Sequence, residues 1–179
     1  SVIKDHLSPS KIISGNFFLK NQKLLFQGVI KDGKTNEILI AFKTIECNQN
    51  DPLKGIDELK ESIVGFLMTE DRKKEMLQEI PPKYNAYKYV LEAKSSADKE
   101  IHLNLLNKAI QADPDYFEPK VLRVAHYYNS GNYIKSDSLL KAIIPDSKNN
   151  KRQQNLLNTY NALLAGNNKR VYNTVMEEY

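Results

Sequence analysis

The side chains able to do chemistry are few and widely spaced. The histidines are His6, His102 and His126. A zinc-binding helix needs two His at i and i+4, or paired cysteines. Neither spacing occurs, so the three read as ordinary surface or interface histidines, and no metal or cofactor is expected. Cys47 is the single cysteine. A nucleophilic thiol needs a base or cationic neighbours, and no His lies near it in sequence, so it reads as an unreactive thiol. Gly15 and Gly28 stand too far apart for a phosphate-cradling loop, which clusters its glycines before a helix. Within strands they signal a bulge or close packing. Asp57, Glu58 and Glu61 could suggest acid–base work, which needs two carboxylates across a cleft. They share the polar side of an amphipathic helix with Lys54 and Lys60, so they read as a solvated face. The same applies to Arg72-Lys73-Lys74. No catalytic residue is assigned.

Two residue sets suit binding better. Lys148, Lys151 and Arg152, with Lys169 and Arg170, fall near helix starts and form a candidate basic contact patch for phosphates or an acidic partner. Lysines placed there for solubility would read identically. Eight of the ten tyrosines lie between 84 and 160. Tyrosine offers a large apolar ring with a polar tip, which suits a groove formed by stacked helices. Tyr87, Tyr89 and Tyr127 are the candidates for that groove, with core packing as the other role open to them.

The bulk composition narrows the classes. The chain has 179 residues, 27% charged and 41% hydrophobic, so it can bury a core and is not a disordered tail. One cysteine excludes a disulfide framework. No apolar run approaches the roughly 18 residues a membrane span needs. A net charge of +4 does not demand a nucleic-acid partner. That excess lies wholly in 83–179, where 14 basic residues meet 10 acidic ones. The chain opens on Ser1 rather than Met, which reads as a fragment of a longer protein, with any anchor or further domain upstream.

The hydrophobic period shifts near residue 51 from two to between three and four. Strands are expected at 12–20, 23–31 and 37–46. Asn21-Gln22 and Asp32-Gly33-Lys34-Thr35-Asn36 form the turns between them, which gives an antiparallel meander. Asp51-Pro52 opens a helix whose stripe of Leu53, Ile56, Leu59, Ile63, Phe66 and Leu67 should cover one face of it. Pro81-Pro82 marks a boundary. Beyond it, helices are expected at 83–95, 98–112, 117–129, 132–144, 150–165 and 167–178. The fold class is therefore α+β: a partial α/β domain at 1–70, a linker at 71–82 and a helical-hairpin solenoid at 83–179. Its units run 83–116, 117–149 and 150–179.

Helix pairs that restart every 33 to 34 residues have the period of tetratricopeptide repeats. Lys108-Ala109-Ile110-Gln111-Ala112-Asp113-Pro114-Asp115-Tyr116 resembles the end of such a repeat. Tyr127-Tyr128-Asn129-Ser130-Gly131-Asn132-Tyr133 resembles the turn inside one. Lys120 departs from the usual bulky aromatic, and the third unit keeps only Tyr160 and Gly166 in suitable places. The repeats are therefore degenerate. Upstream, Ile13-Ser14-Gly15-Asn16-Phe17-Phe18-Leu19, Leu24 to Asp32 and Thr35-Asn36-Glu37-Ile38-Leu39 resemble the second half of a TolB amino-terminal-like (FlgO-like) α/β domain. Val2 to Leu7 would end that domain's preceding helix. Asn85-Ala86-Tyr87-Lys88-Tyr89-Val90-Leu91 resembles the join to following repeats.

The resemblance implies a non-catalytic protein- or peptide-binding module, the scaffolding or sensory part of a larger bacterial signalling or transcription-regulatory protein. It implies a periplasmic setting if an anchor precedes it and a cytoplasmic one if a DNA-binding helix does. The other reading is a sensor that binds a small ligand or envelope component between the α/β unit and the first repeat. An enzyme is the third class.

Overall fold

The computed structural model describes residues 10–69, 81–143 and 150–177. Among them are four strands: β1 (Lys11–Lys20), β2 (Lys23–Asp32), β3 (Ile38–Ala41) and β4 (Ile45–Asn48). Seven helices follow: α1 (Pro52–Thr69), α2 (Tyr84–Ser95), α3 (Lys99–Ala112), α4 (Phe117–Asn129), α5 (Tyr133–Ile143), α6 (Lys151–Leu164) and α7 (Asn168–Met176). The class is α+β, as expected. The chain divides into two compact units, Ser1–Val64 and Gly65–Tyr179. Val2 to Leu7, most of the expected linker, Pro145 and Lys148 lie outside the described residues.

In the first unit β1 and β2 pair antiparallel over their whole lengths. They are joined at Asn21 and Gln22, with φ of 50° and 61°. Two consecutive positive φ values match the twist of a tight hairpin. The next turn is organised by Asp32, whose Oδ1 accepts from the N–H of Lys34 and of Thr35, both at 2.8 Å. Those two backbone bonds hold its carboxyl below the usual range.

The expected third strand at 37–46 is two strands. β3 pairs with the second half of β2 and β4 with its first half. The ladder slips once against β3, between Ile30 and Lys31, and by one more residue between Val29, which faces Ala41, and Phe26, which faces Ile45. Phe42 N–H still bonds Gly28 O before the chain rejoins the same edge.

The covering helix also differs from its expected stripe. Leu59 packs on the cluster of Phe26, Ile45 and Cys47, but Leu53 is 68% exposed and Ile56 48%. The seat of the contact is Gly55. A Cβ there would stand 2.6 Å from Cε2 of Phe26 and 2.8 Å from Sγ of Cys47. A bare backbone lets α1 settle onto the phenyl ring, and Leu53 and Ile56 are turned away from that contact.

The helical unit follows the expected boundaries within two residues. Starts of α2, α4 and α6 are 33 and 34 residues apart. Successive helices pack as antiparallel neighbours, and α4 also touches α6 past α5. Val121, Val124, Leu140, Ile143 and Leu157 form one core cluster; Ala86, Val90, Ala109 and Tyr116 form another. Ser136, fully buried, donates to the Val124 carbonyl at 2.9 Å and ties α5 to α4.

Two hairpins close with the same chemistry. Gly131 (φ 75°) and Gly166 (φ 66°) end α4 and α6 in the left-handed region. Gly131 N–H donates to Tyr128 O and Asn132 N–H to Tyr127 O; Gly166 and Asn167 do the same to Leu163 and Ala162. Each Asn then caps the next helix, accepting at 3.1 Å from Lys135 N–H and at 3.0 Å from Arg170 N–H. One Gly-Asn pair thus satisfies the free carbonyls of one helix and a free N–H of the next.

The first hairpin is tied differently. Asp98 caps α3 through Glu100 and Ile101 N–H, and Ser96, in place of a glycine, is extended. At its other end the Asp113 carboxylate, 8% exposed, accepts from Lys83 N–H at 2.8 Å and Asp115 N–H at 3.1 Å.

Candidate functional site

The first hairpin departs from the Gly-Asn closure, and at that departure lies a cavity of about 330 Å³. Ser96, Ala97, Asp98 and Lys99 form one wall, with His102 just behind. The end of α4 supplies the other wall through Leu122, Ala125, His126, Asn129 and Ser130. Antiparallel helices bring the start of α3 beside the end of α4, so His102 and His126 meet across it.

Their rings stack with centroids 5.6 Å apart and planes at 13°. Nδ1 of His102 lies 2.8 Å from the Ala93 carbonyl. A carbonyl only accepts, so Nδ1 carries the proton, and the neutral ring keeps its lone pair on Nε2. Tyr127 meets His126 edge-on, centroids 5.3 Å apart. Burial, then the neighbouring His102 and Lys99, hold His126 below the ordinary imidazole range.

Nearly parallel imidazoles direct their in-plane lone pairs side by side rather than at one point, which suits stacking better than shared metal coordination. Among the described residues no three His, Cys, Asp or Glu side chains gather in metal-binding geometry. The cavity is instead a small cleft with apolar sides and three groups that are or can become cationic: Lys99, His102 and His126. One oxygen of Asp98 is engaged by the backbone it caps.

The sequence-derived candidates disperse. Tyr87 is buried. Tyr89 packs against the cluster that holds Ala86 and Val90. Two residues apart on one helix, they project about 200° apart, so no single groove can take both. Tyr127 borders the cavity through His126 and is half-buried.

The basic patch also divides. Lys151 and Arg152 open α6, whereas Lys169 and Arg170 open α7. The α6–α7 hairpin is antiparallel, as the bond from Asn155 Nδ2 to the Thr174 carbonyl at 2.6 Å shows. Helix starts therefore lie at opposite ends, roughly 20 Å apart at 1.5 Å per residue. Lys148 lies outside the described residues.

The His102–His126 pair was not read from sequence because the two stand 24 positions apart. The usable signal was symmetry. Reflection through the Asp113–Tyr116 turn places one almost opposite the other.

No helix among the described residues is long and apolar enough to cross a membrane. No protein-family model matches the sequence, and no curated protein matches it.

Proposed function

We propose that the chain is a non-catalytic binding module whose helical hairpins receive a protein or peptide segment carrying an acidic side chain. The observation that carries this reading is the cleft between α3 and α4. It is too small for a folded partner and fits one or two side chains. It offers cationic or protonatable groups in Lys99, His102 and His126, and Tyr127 lies against His126. A carboxylate entering there gains a charge-assisted hydrogen bond from Lys99 and favours protonation of the imidazole it meets, while Leu122 and Ala125 accept its aliphatic stem. The resemblance of the Asp113 and Gly131 turns to those of tetratricopeptide repeats supports a scaffolding or sensory role within a larger bacterial signalling or regulatory protein.

Selection from a displayed random-peptide library tests the reading. Peptides rich in Asp or Glu should enrich on the parent chain and lose most of their binding to the His126→Gln and Tyr127→Ala variants. Enrichment without acidic residues, or binding untouched by both substitutions, rejects the cleft as the site.

A further inference from the structure

The first unit carries a second surface, independent of the helical cleft. β1 is ten residues long and pairs only with β2 among the described strands. Edge strands are normally short, charged, bulged or covered, because their free backbone groups invite pairing. β1 has lysines only at its two ends and no proline.

The direction of its backbone groups follows from two bonds. Ser10 O accepts from Gly33 N–H, and Gly28 O accepts from Phe42 N–H on the far side of β2. Gly28 faces Gly15 in the ladder. Backbone groups alternate in direction along an antiparallel strand. Ile13, Gly15, Phe17 and Leu19 therefore aim their N–H and C=O at the open edge.

The same residues share the sheet face that α1 covers over β2, since Ile13 lies opposite Ile30 and Phe17 opposite Phe26. Over β1 that face stays open: Ile13 is 51% exposed, Phe17 71% and Leu19 60%.

Ile12-Ile13-Ser14-Gly15-Asn16-Phe17-Phe18 reads apolar, apolar, polar, glycine, polar, apolar, apolar. That pattern is symmetric about Gly15, which is what an isologous two-fold contact requires. We propose that β1 pairs antiparallel with β1 of a second copy about a two-fold axis at Gly15, joining the two sheets into one.

The register is self-consistent. It sets Ile13 against Phe17 of the second copy on the open apolar face, and Ile13, Gly15 and Phe17 fall in hydrogen-bonded pairs. It sets Lys11 against Leu19. The register centred one half-step away would put Lys11 against Lys20, a like-charge pairing, and would turn the apolar faces to opposite sides. An aromatic side chain offers about 150–250 Å². With Phe17, Phe18, Ile13 and Leu19 all open, two strands and their backbones bury on the order of 1,000 Å², at the threshold for a specific interface.

Sedimentation velocity of the full chain over a wide concentration range tests the pairing. A monomer–dimer equilibrium is expected, and Phe17→Lys should weaken it on the order of a hundredfold, two buried phenyl rings being lost per dimer. Phe17 is already largely exposed, so an unchanged far-ultraviolet spectrum should show that the variant still folds.

A second measurement fixes the register. Ser14 of one copy falls in a close, non-hydrogen-bonded pair with Asn16 of the other. A mixture of the Ser14→Cys and Asn16→Cys variants should form a disulfide-linked dimer on mild oxidation, and neither alone should. A chain that stays monomeric throughout overturns the proposal and leaves the edge to a different partner. A dimer indifferent to Phe17→Lys, or cross-linking equal in each variant alone, overturns it as well.

Discussion

Replacing Asp113 with Ala removes a carboxylate that is 8% exposed and accepts two backbone N–H groups, from Lys83 at 2.8 Å and Asp115 at 3.1 Å. Hydrogen bonds to a charged acceptor each contribute about 1.5–3 kcal/mol, and a buried N–H left unpaired carries its own desolvation cost. Partial rescue by water lowers the sum, so the expected loss is about 2–4 kcal/mol. For a helical unit of this size that shifts the melting midpoint downward by roughly 10 °C or more. Thermal unfolding followed at 222 nm reads it directly. Asp113→Asn sharpens the comparison. Its amide keeps one oxygen acceptor and turns an NH₂ toward the other N–H, so it should fall between the parent and the Ala variant. If Ala and Asn variants both melt within about 2 °C of the parent, the clamp between the start of α2 and the end of α3 contributes nothing, and the reasoning fails.

Gly131→Ala and Gly166→Ala each place a side chain at positive φ with nothing within 4 Å to strike. Each should cost about 1 kcal/mol from backbone conformation alone, measured by urea unfolding; losses several-fold larger would mean that space, not φ, is limiting. His126, held below its ordinary value of 6.5, favours the neutral ring in the folded chain. Its contribution to stability is therefore complete above 6.5 and is lost as pH falls from there through its lower folded pKa, because the unfolded chain takes up the proton first. His126→Gln should flatten the pH dependence of the melting midpoint in that window, and an unaltered slope would show that His126 does not titrate differently on folding.

The helical boundaries were legible because most are written locally: a capping Asn or Asp, a glycine, an Asp-Pro stop. What escaped depends on neighbours distant in sequence. The break between β3 and β4 has no breaker residue of its own; it follows a slip in register against β2. The stripe on α1 was misplaced because a glycine is invisible to hydrophobic periodicity, yet Gly55 makes the helix's closest approach to the sheet. Tyr87 and Tyr89 were joined in one groove although two residues on a helix face nearly opposite ways. Lys151 and Lys169 were joined because both open helices, and antiparallel packing separates such ends. The His102–His126 stack needed the turn between α3 and α4 to be treated as a mirror.

The clamp at Asp113 also has a consequence for the order of events during synthesis. A chain leaves the ribosome from its amino end, and domains begin to organise as they emerge. The hairpins of α4–α5 and α6–α7 carry their closures within three residues, so each can close as soon as its second helix is out. The first hairpin has a local cap at Asp98 but needs a long-range tie as well. Lys83 waits for a carboxylate 30 positions later, so the part of the helical unit made first is the part whose opening turn is fastened only once the rest of that hairpin, and the turn beyond it, has been made.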